Sequence, residues 1–94
     1  MKENDNRIDI YKKALSKYGI CLQRWVLVEE CGELLNAISK MQRGRARKAD
    51  IITELADVHI MVEQMALYYG WEDFLKEKEY KISRLKERLE KAVQ

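Results

Sequence analysis

Glu30 and Glu33 stand three residues apart in VLVEECGELLNAISK, and Glu54 and Asp57 repeat that spacing in ELAD. On a helix, side chains three apart lie about 60° from one another, so each pair would present its oxygens to one side. The positions between them on the wheel are apolar: Val26 and Ala37 for the first pair, Met61 for the second, with Met65 beside Glu54. Like charges at this spacing repel, and partial burial raises the cost. Four such carboxylates brought to one point call for a hard divalent cation. With no His or Cys among the donors, Mg²⁺ is favoured over Zn²⁺, with Mn²⁺ as a substitute, and magnesium held by carboxylates usually serves a phosphate-bearing ligand. The competing reading makes all four ordinary surface acids, answered by Lys or Arg one turn away. Glu29 lies nearer Asn36 and Lys40 on the wheel, so its expected place is salt-bridging or support of the site.

For the pairs to meet, they must sit on neighbouring antiparallel helices. Proline is absent, and three of the four glycines, Gly19, Gly44 and Gly70, fall where helices would end. The cuts leave segments of helical length at about Arg7–Tyr18, Ile20–Arg43, Asp50–Tyr69 and Trp71–Ala92. In the second, Ile20, Leu27, Val28, Cys31, Leu34, Leu35 and Ile38 share one broad arc; in the third, Ile51, Leu55, Val58, Val62, Met65 and Ala66 do so. The fourth carries a seam at Trp71, Leu75, Ile82, Leu85 and Leu89, interrupted by Lys78. Gly32, inside a helix, costs roughly 1 kcal/mol against Ala. It suits a close approach of another helix or a ligand, the alternative being a tolerated surface glycine.

A chain of 94 residues is one domain, 1–94, with its core in about 20–92. Hydrophobic residues at 47% and charged residues at 36% fit a water-facing globular protein. No apolar run approaches the roughly 20 residues that span a bilayer, and MKENDNRID has no signal-like core, so no membrane partner and a cytoplasmic location are expected. The net charge of +2 is too small to argue for nucleic acid, although RGRARK at Arg43–Lys48 is locally basic. Cys21 and Cys31 lack metal-ligand spacing and are expected as reduced core residues.

Glu29-Glu30-Cys31-Gly32-Glu33, followed by Glu54-Leu55-Ala56-Asp57, resembles the E-E-x-x-E…E-x-x-D motif of the MazG-like branch of the all-α nucleoside triphosphate pyrophosphohydrolases. The resemblance runs from about Ile20 to Leu89 and takes in a basic last helix, KEYKISRLKERL. It implies an all-α four-helix bundle of antiparallel helices, completed by dimer or tetramer formation. It also implies Mg²⁺-dependent hydrolysis of a ribo- or deoxyribonucleoside triphosphate between the α and β phosphates, giving the monophosphate and pyrophosphate. By motif position Glu30, Glu33, Glu54 and Asp57 would hold the metal, and Glu30 or Glu33 would serve the attacking water. Lys78 or Lys81 with Arg84 would contact phosphates, Lys78 agreeing best with the interrupted seam.

Base recognition is less defined. Trp25, one turn before Glu29, is read as packed in preference to stacking on a base, while Asn36 and Lys40 continue its edge toward a base or phosphate. Some family members carry an aromatic residue where this chain has Met61. His59 lies off the core arc and is expected at solvent or an interface. Three other readings remain: a non-catalytic helical interaction module or metal or nucleotide sensor, a phosphoribosyl-ATP pyrophosphohydrolase with the same chemistry, and a small nucleic-acid binder resting on RGRARK.

Overall fold

The computed structural model describes residues 3–93, with side-chain surroundings for residues 6–92. The chain is all-α, with no strand among the described residues: α1 Glu3–Tyr18, α2 Ile20–Gln42, α3 Lys48–Tyr69 and α4 Trp71–Val93. It turns at the three expected glycines, each with positive φ: 82° at Gly19, 72° at Gly44 and 142° at Gly70. α1 and α3 begin four and two residues earlier than hydropathy suggests. For α3 the reason is local. The Asp50 carboxylate accepts the Arg47 N–H at 2.9 Å, satisfying an otherwise orphaned donor ahead of the first apolar residue.

α2 and α3 form an antiparallel hairpin. Gln23 meets Gln64, Glu33 meets Glu54, and Asn36 and Lys40 share a cleft with Asp50 and Thr53, so rising numbers on one helix face falling numbers on the other. This is the largest packing surface in the chain; α1 lies against both helices, and α4 touches only α3.

The interior is small and partly polar. Tyr11, Ala37, Met61 and Ala66 are its buried apolar residues, joined by Gln23, Glu63 and Gln64. Gln23 Nε2 donates to Gln64 Oε1 at 2.7 Å, and Tyr11 Oη donates to Glu63 Oε1 at 2.6 Å. The expected arcs are only half covered: Ile20, Leu27, Cys31 and Leu34 are partly buried, whereas Val28, Leu35, Ile38 and Leu55 stay exposed, Leu35 at 68%. A wheel finds the apolar side of a helix but not whether a neighbour covers its whole width. Cys21 is likewise exposed and Cys31 half-buried, so neither is a core residue.

α4 leaves the body of the protein. Phe74 and Asp73 border the end of α3, and from Leu75 onward every described side chain is exposed. The radius of gyration is 16.4 Å, against about 12 Å for a compact chain of this length. The seam at Ile82, Leu85 and Leu89 therefore finds no cover among the described residues.

Candidate metal centre and its cleft

Because α2 and α3 are antiparallel and in register at Glu33 and Glu54, the two acid pairs arrive at the same level. One carboxylate oxygen from each of Glu30, Glu33 and Glu54 lies within 4.8 Å of the other two. Glu30 and Glu54 are half-buried and Glu33 is exposed. They border the small core as the wheel indicated, since Ala37 and Met61 are both buried beside them. Asp57 falls outside this oxygen triad, but it is half-buried and its charge bears on both Glu30 and Glu54. Glu29 is exposed and acts on Glu30 by charge alone.

The electrostatics show what the cluster lacks. Desolvation pushes the Glu30 carboxyl above the ordinary carboxylate range, and the charges of Glu33, Asp57 and Glu29 push the same way. Desolvation does the same to Glu54, followed by the charge of neighbouring Glu33. Oε2 of Glu30 and Oε2 of Glu54 are buried without a hydrogen-bond partner. No Lys or Arg stands three or four residues from Glu30, Glu33, Glu54 or Asp57 in the sequence, and no salt bridge among the described residues engages them. Surface acids balanced along their own helices do not look like this.

Glu63 makes the contrast. It too is a buried acid, yet its Oε1 accepts from Tyr11 and sits 3.2 Å from Arg7 Nε, while His59 Nε2 approaches Oε2 at 3.9 Å. A hydrogen-bond donor and a cation answer that carboxylate, whereas none among the described residues answers Oε2 of Glu30 or of Glu54. An all-oxygen set with buried lone pairs left open fits a divalent cation.

Beside the triad opens a cleft of about 440 Å³ whose wall includes Glu33, Glu54, Asn36, Lys40, Arg45 and Thr53. Asn36 and Lys40 are thus brought to the site. Trp25 is not: it stands 63% exposed in a separate groove with Cys21, Arg24 and Val28, and the expectation that it packs is not met within the chain. Lys78 and Lys81 line a groove on α4 with Phe74 and Leu85, sharing no residue with the carboxylate cleft, and Arg84 lies over the Tyr80 ring at 5.8 Å. His59 is exposed, as expected. Gly32 has nothing within 4 Å of a Cβ added there, so no helix of this chain requires its small size.

Sequence reasoning missed Arg45 as a wall of the cleft, the polar pairs Gln23–Gln64 and Tyr11–Glu63, and Arg24, whose Nε donates to Tyr69 Oη at 2.6 Å. The one available signal was the placement of Gln23 and Gln64 among apolar positions. Compared with protein-family models, curated proteins and solved structures, the chain has no match. Its fold and site define an all-α chain whose central hairpin carries a three-carboxylate cluster that suits a metal ion. No described helix is long and apolar enough to cross a membrane.

Proposed function

We propose that the protein is a Mg²⁺-dependent nucleoside triphosphate pyrophosphohydrolase of the MazG-like kind, cleaving between the α and β phosphates. The observation that carries this reading is the convergence of Glu30, Glu33 and Glu54 oxygens with two buried oxygens unanswered, on residues that match the E-E-x-x-E…E-x-x-D pattern. Glu30, Glu33 and Glu54 would hold the cation, with Asp57 completing the set; Mn²⁺ suits the same oxygens. When bound, the ion supplies charge neutralisation for the phosphates and a Lewis acid for the attacked phosphoryl group.

The chain's own part is positioning and proton handling. A Glu30 or Glu33 carboxylate accepts a proton from the water that attacks the α-phosphorus in line; the α–β bridging P–O bond breaks, and pyrophosphate leaves with the electron pair. Glu29 supports Glu30 from the exposed edge. Lys78, Lys81 and Arg84 lie on a helix that leaves the body of its own chain, so in this reading they reach phosphates through a second copy in a homodimer or homotetramer. A cytoplasmic location, beside the nucleotide pool, belongs to the same reading.

The test is release of pyrophosphate and monophosphate from a panel of ribo- and deoxyribonucleoside triphosphates, with Mg²⁺ and with EDTA. Metal-dependent pyrophosphate supports the reading, and its loss in Glu33→Gln assigns the site. Orthophosphate as sole product, or no product from folded protein, refutes it. A second reading, a non-catalytic helical interaction module, draws on the uncovered seam of α4 and is favoured by that last outcome.

A further inference from the structure

The basic run RGRARK takes no part in the reading above, yet the fold brings one of its cations, Arg45, to the site. Gly44, at φ 72°, ends α2 in a left-handed turn: its N–H donates to the Met41 carbonyl at 2.9 Å, and the Arg45 N–H donates to the Lys40 carbonyl at 2.7 Å. This double bond pattern folds the chain back over the last helical turn. It ties the backbone of Arg45 to that of Lys40, and both residues line the cleft that Glu33 and Glu54 also line.

The cleft therefore carries both an acidic and a basic group of residues. Neither Lys40 nor Arg45 enters an ion pair among the described residues. Asp50, the other acid of the cleft wall, is engaged by Arg47, through its N–H at 2.9 Å and its guanidinium at 3.9 Å. Opposite charges that share a cleft without joining are complementary to a ligand that brings a cation to one group and an anion to the other. Lysine offers a point charge and arginine a fork matched to phosphate oxygens. Along α2, Lys40 stands about 10 Å beyond Glu33, a span that suits linked phosphates better than a single one.

We propose that Lys40 and Arg45 bind the phosphate oxygens of a polyphosphate whose metal is held by Glu30, Glu33 and Glu54. This rests on the metal reading above and adds to it a source of phosphate-binding cations within one chain. It also predicts selectivity: a ligand with two or more linked phosphates is held at both groups, whereas a monophosphate reaches one and leaves readily.

The experiment is calorimetric titration of the full chain, with Mn²⁺ alone and then with inorganic tripolyphosphate or orthophosphate in the presence of Mg²⁺. The variants are Lys40→Gln, Arg45→Gln, Arg45→Lys, Glu33→Gln and, as a charge control on α1, Lys12→Gln. All four positions are exposed, and melting curves verify folding. Expected are at least tenfold weaker tripolyphosphate binding in Lys40→Gln and Arg45→Gln, Mn²⁺ affinity within twofold of the parent, partial recovery in Arg45→Lys, and tighter binding of tripolyphosphate than orthophosphate. Parental tripolyphosphate affinity in both Gln variants, or an equal loss in Lys12→Gln, overturns the proposal while leaving the metal reading standing. Glu33→Gln is expected to lose Mn²⁺ affinity. Absence of Mn²⁺ binding to the parent refutes the metal reading and this proposal with it.

Discussion

Tyr11 Oη donates to Glu63 Oε1 at 2.6 Å across 52 residues of sequence, joining α1 to α3 in the buried interior. Arg7 Nε lies 3.2 Å from the same oxygen, outside hydrogen-bond alignment, so its contribution is electrostatic. Burial, the bond to Glu63 and the Glu63 charge push the Tyr11 phenol up to about 12. The native state thus keeps a proton that the unfolded chain gives up near pH 10, and stability falls as pH rises from about 10 to 12. Tyr11→Phe is expected to cost about 1.5–3 kcal/mol at neutral pH, the range for a hydrogen bond to a charged acceptor. It should also flatten the alkaline decline relative to the parent. Urea unfolding at pH 8 and pH 11 checks both.

Without metal, the native protein holds protons on Glu30 and Glu54 longer than the unfolded chain does, because both carboxyls are raised. The unfolded state then binds fewer protons in the window just above the ordinary carboxylate value. Stability in EDTA is therefore expected to fall as pH rises through that window. Mg²⁺ should reverse the loss, by about 2.7 kcal/mol at a concentration one hundred times its dissociation constant. Glu54→Gln removes one repelling charge: it should stabilise the metal-free protein at neutral pH and abolish most of the Mg²⁺ effect. Melting temperatures from pH 4.5 to 7.5, with Mg²⁺ and with EDTA, separate these outcomes.

Gly32 and Gly44 should respond oppositely to alanine. Gly32 lies inside α2 with open space where a Cβ would go. Gly32→Ala is thus expected to stabilise the isolated chain by up to about 1 kcal/mol, the helix-propensity gain. Gly44 holds φ at 72°, a conformation that costs an L side chain about 1–2 kcal/mol. Gly44→Ala should lower stability and displace Arg45 from the cleft. Thermal unfolding reads the first effect, and tripolyphosphate titration adds the second.

The acid pairs were legible because helix geometry turns a three-residue spacing into a face, and both faces lie where the wheel put them, beside Ala37 and Met61. The glycine breaks were legible because positive φ selects glycine. The polar interior was not. Gln23 and Gln64 are 41 residues apart, and Tyr11 and Glu63 are 52 apart, so no local period encodes either pair. Arg45 was missed for another reason: its place in the cleft depends on the backbone reversal at Gly44, and a basic run carries no information about direction. Trp25 and Leu35 show the limit of the wheel. Their apolar character says only that something should cover them, and among the described residues both stay mostly exposed.

α4 has 23 residues, with Ile82, Leu85 and Leu89 exposed at 55%, 54% and 60% along one stripe. Most helical stability comes from packing an apolar face, and α4 packs only its first turns against α3. We propose a second copy of the chain as the cover, since it brings the matching stripe by symmetry. Lys78 and Lys81 flank the apolar groove formed by Phe74, Ile82 and Leu85, so a partner packed on this seam also fixes where those cations point. The paired substitution Ile82→Glu and Leu85→Glu is expected to shift sedimentation from oligomer to monomer and to lower helicity by up to the length of α4. The α2–α3 hairpin and its carboxylates lie outside the seam, so Mn²⁺ affinity should persist in the monomer. Pyrophosphate release should fall if Lys78, Lys81 and Arg84 act across subunits, and should survive if Lys40 and Arg45 suffice. Sedimentation velocity, circular dichroism and the activity assay on one preparation decide between them.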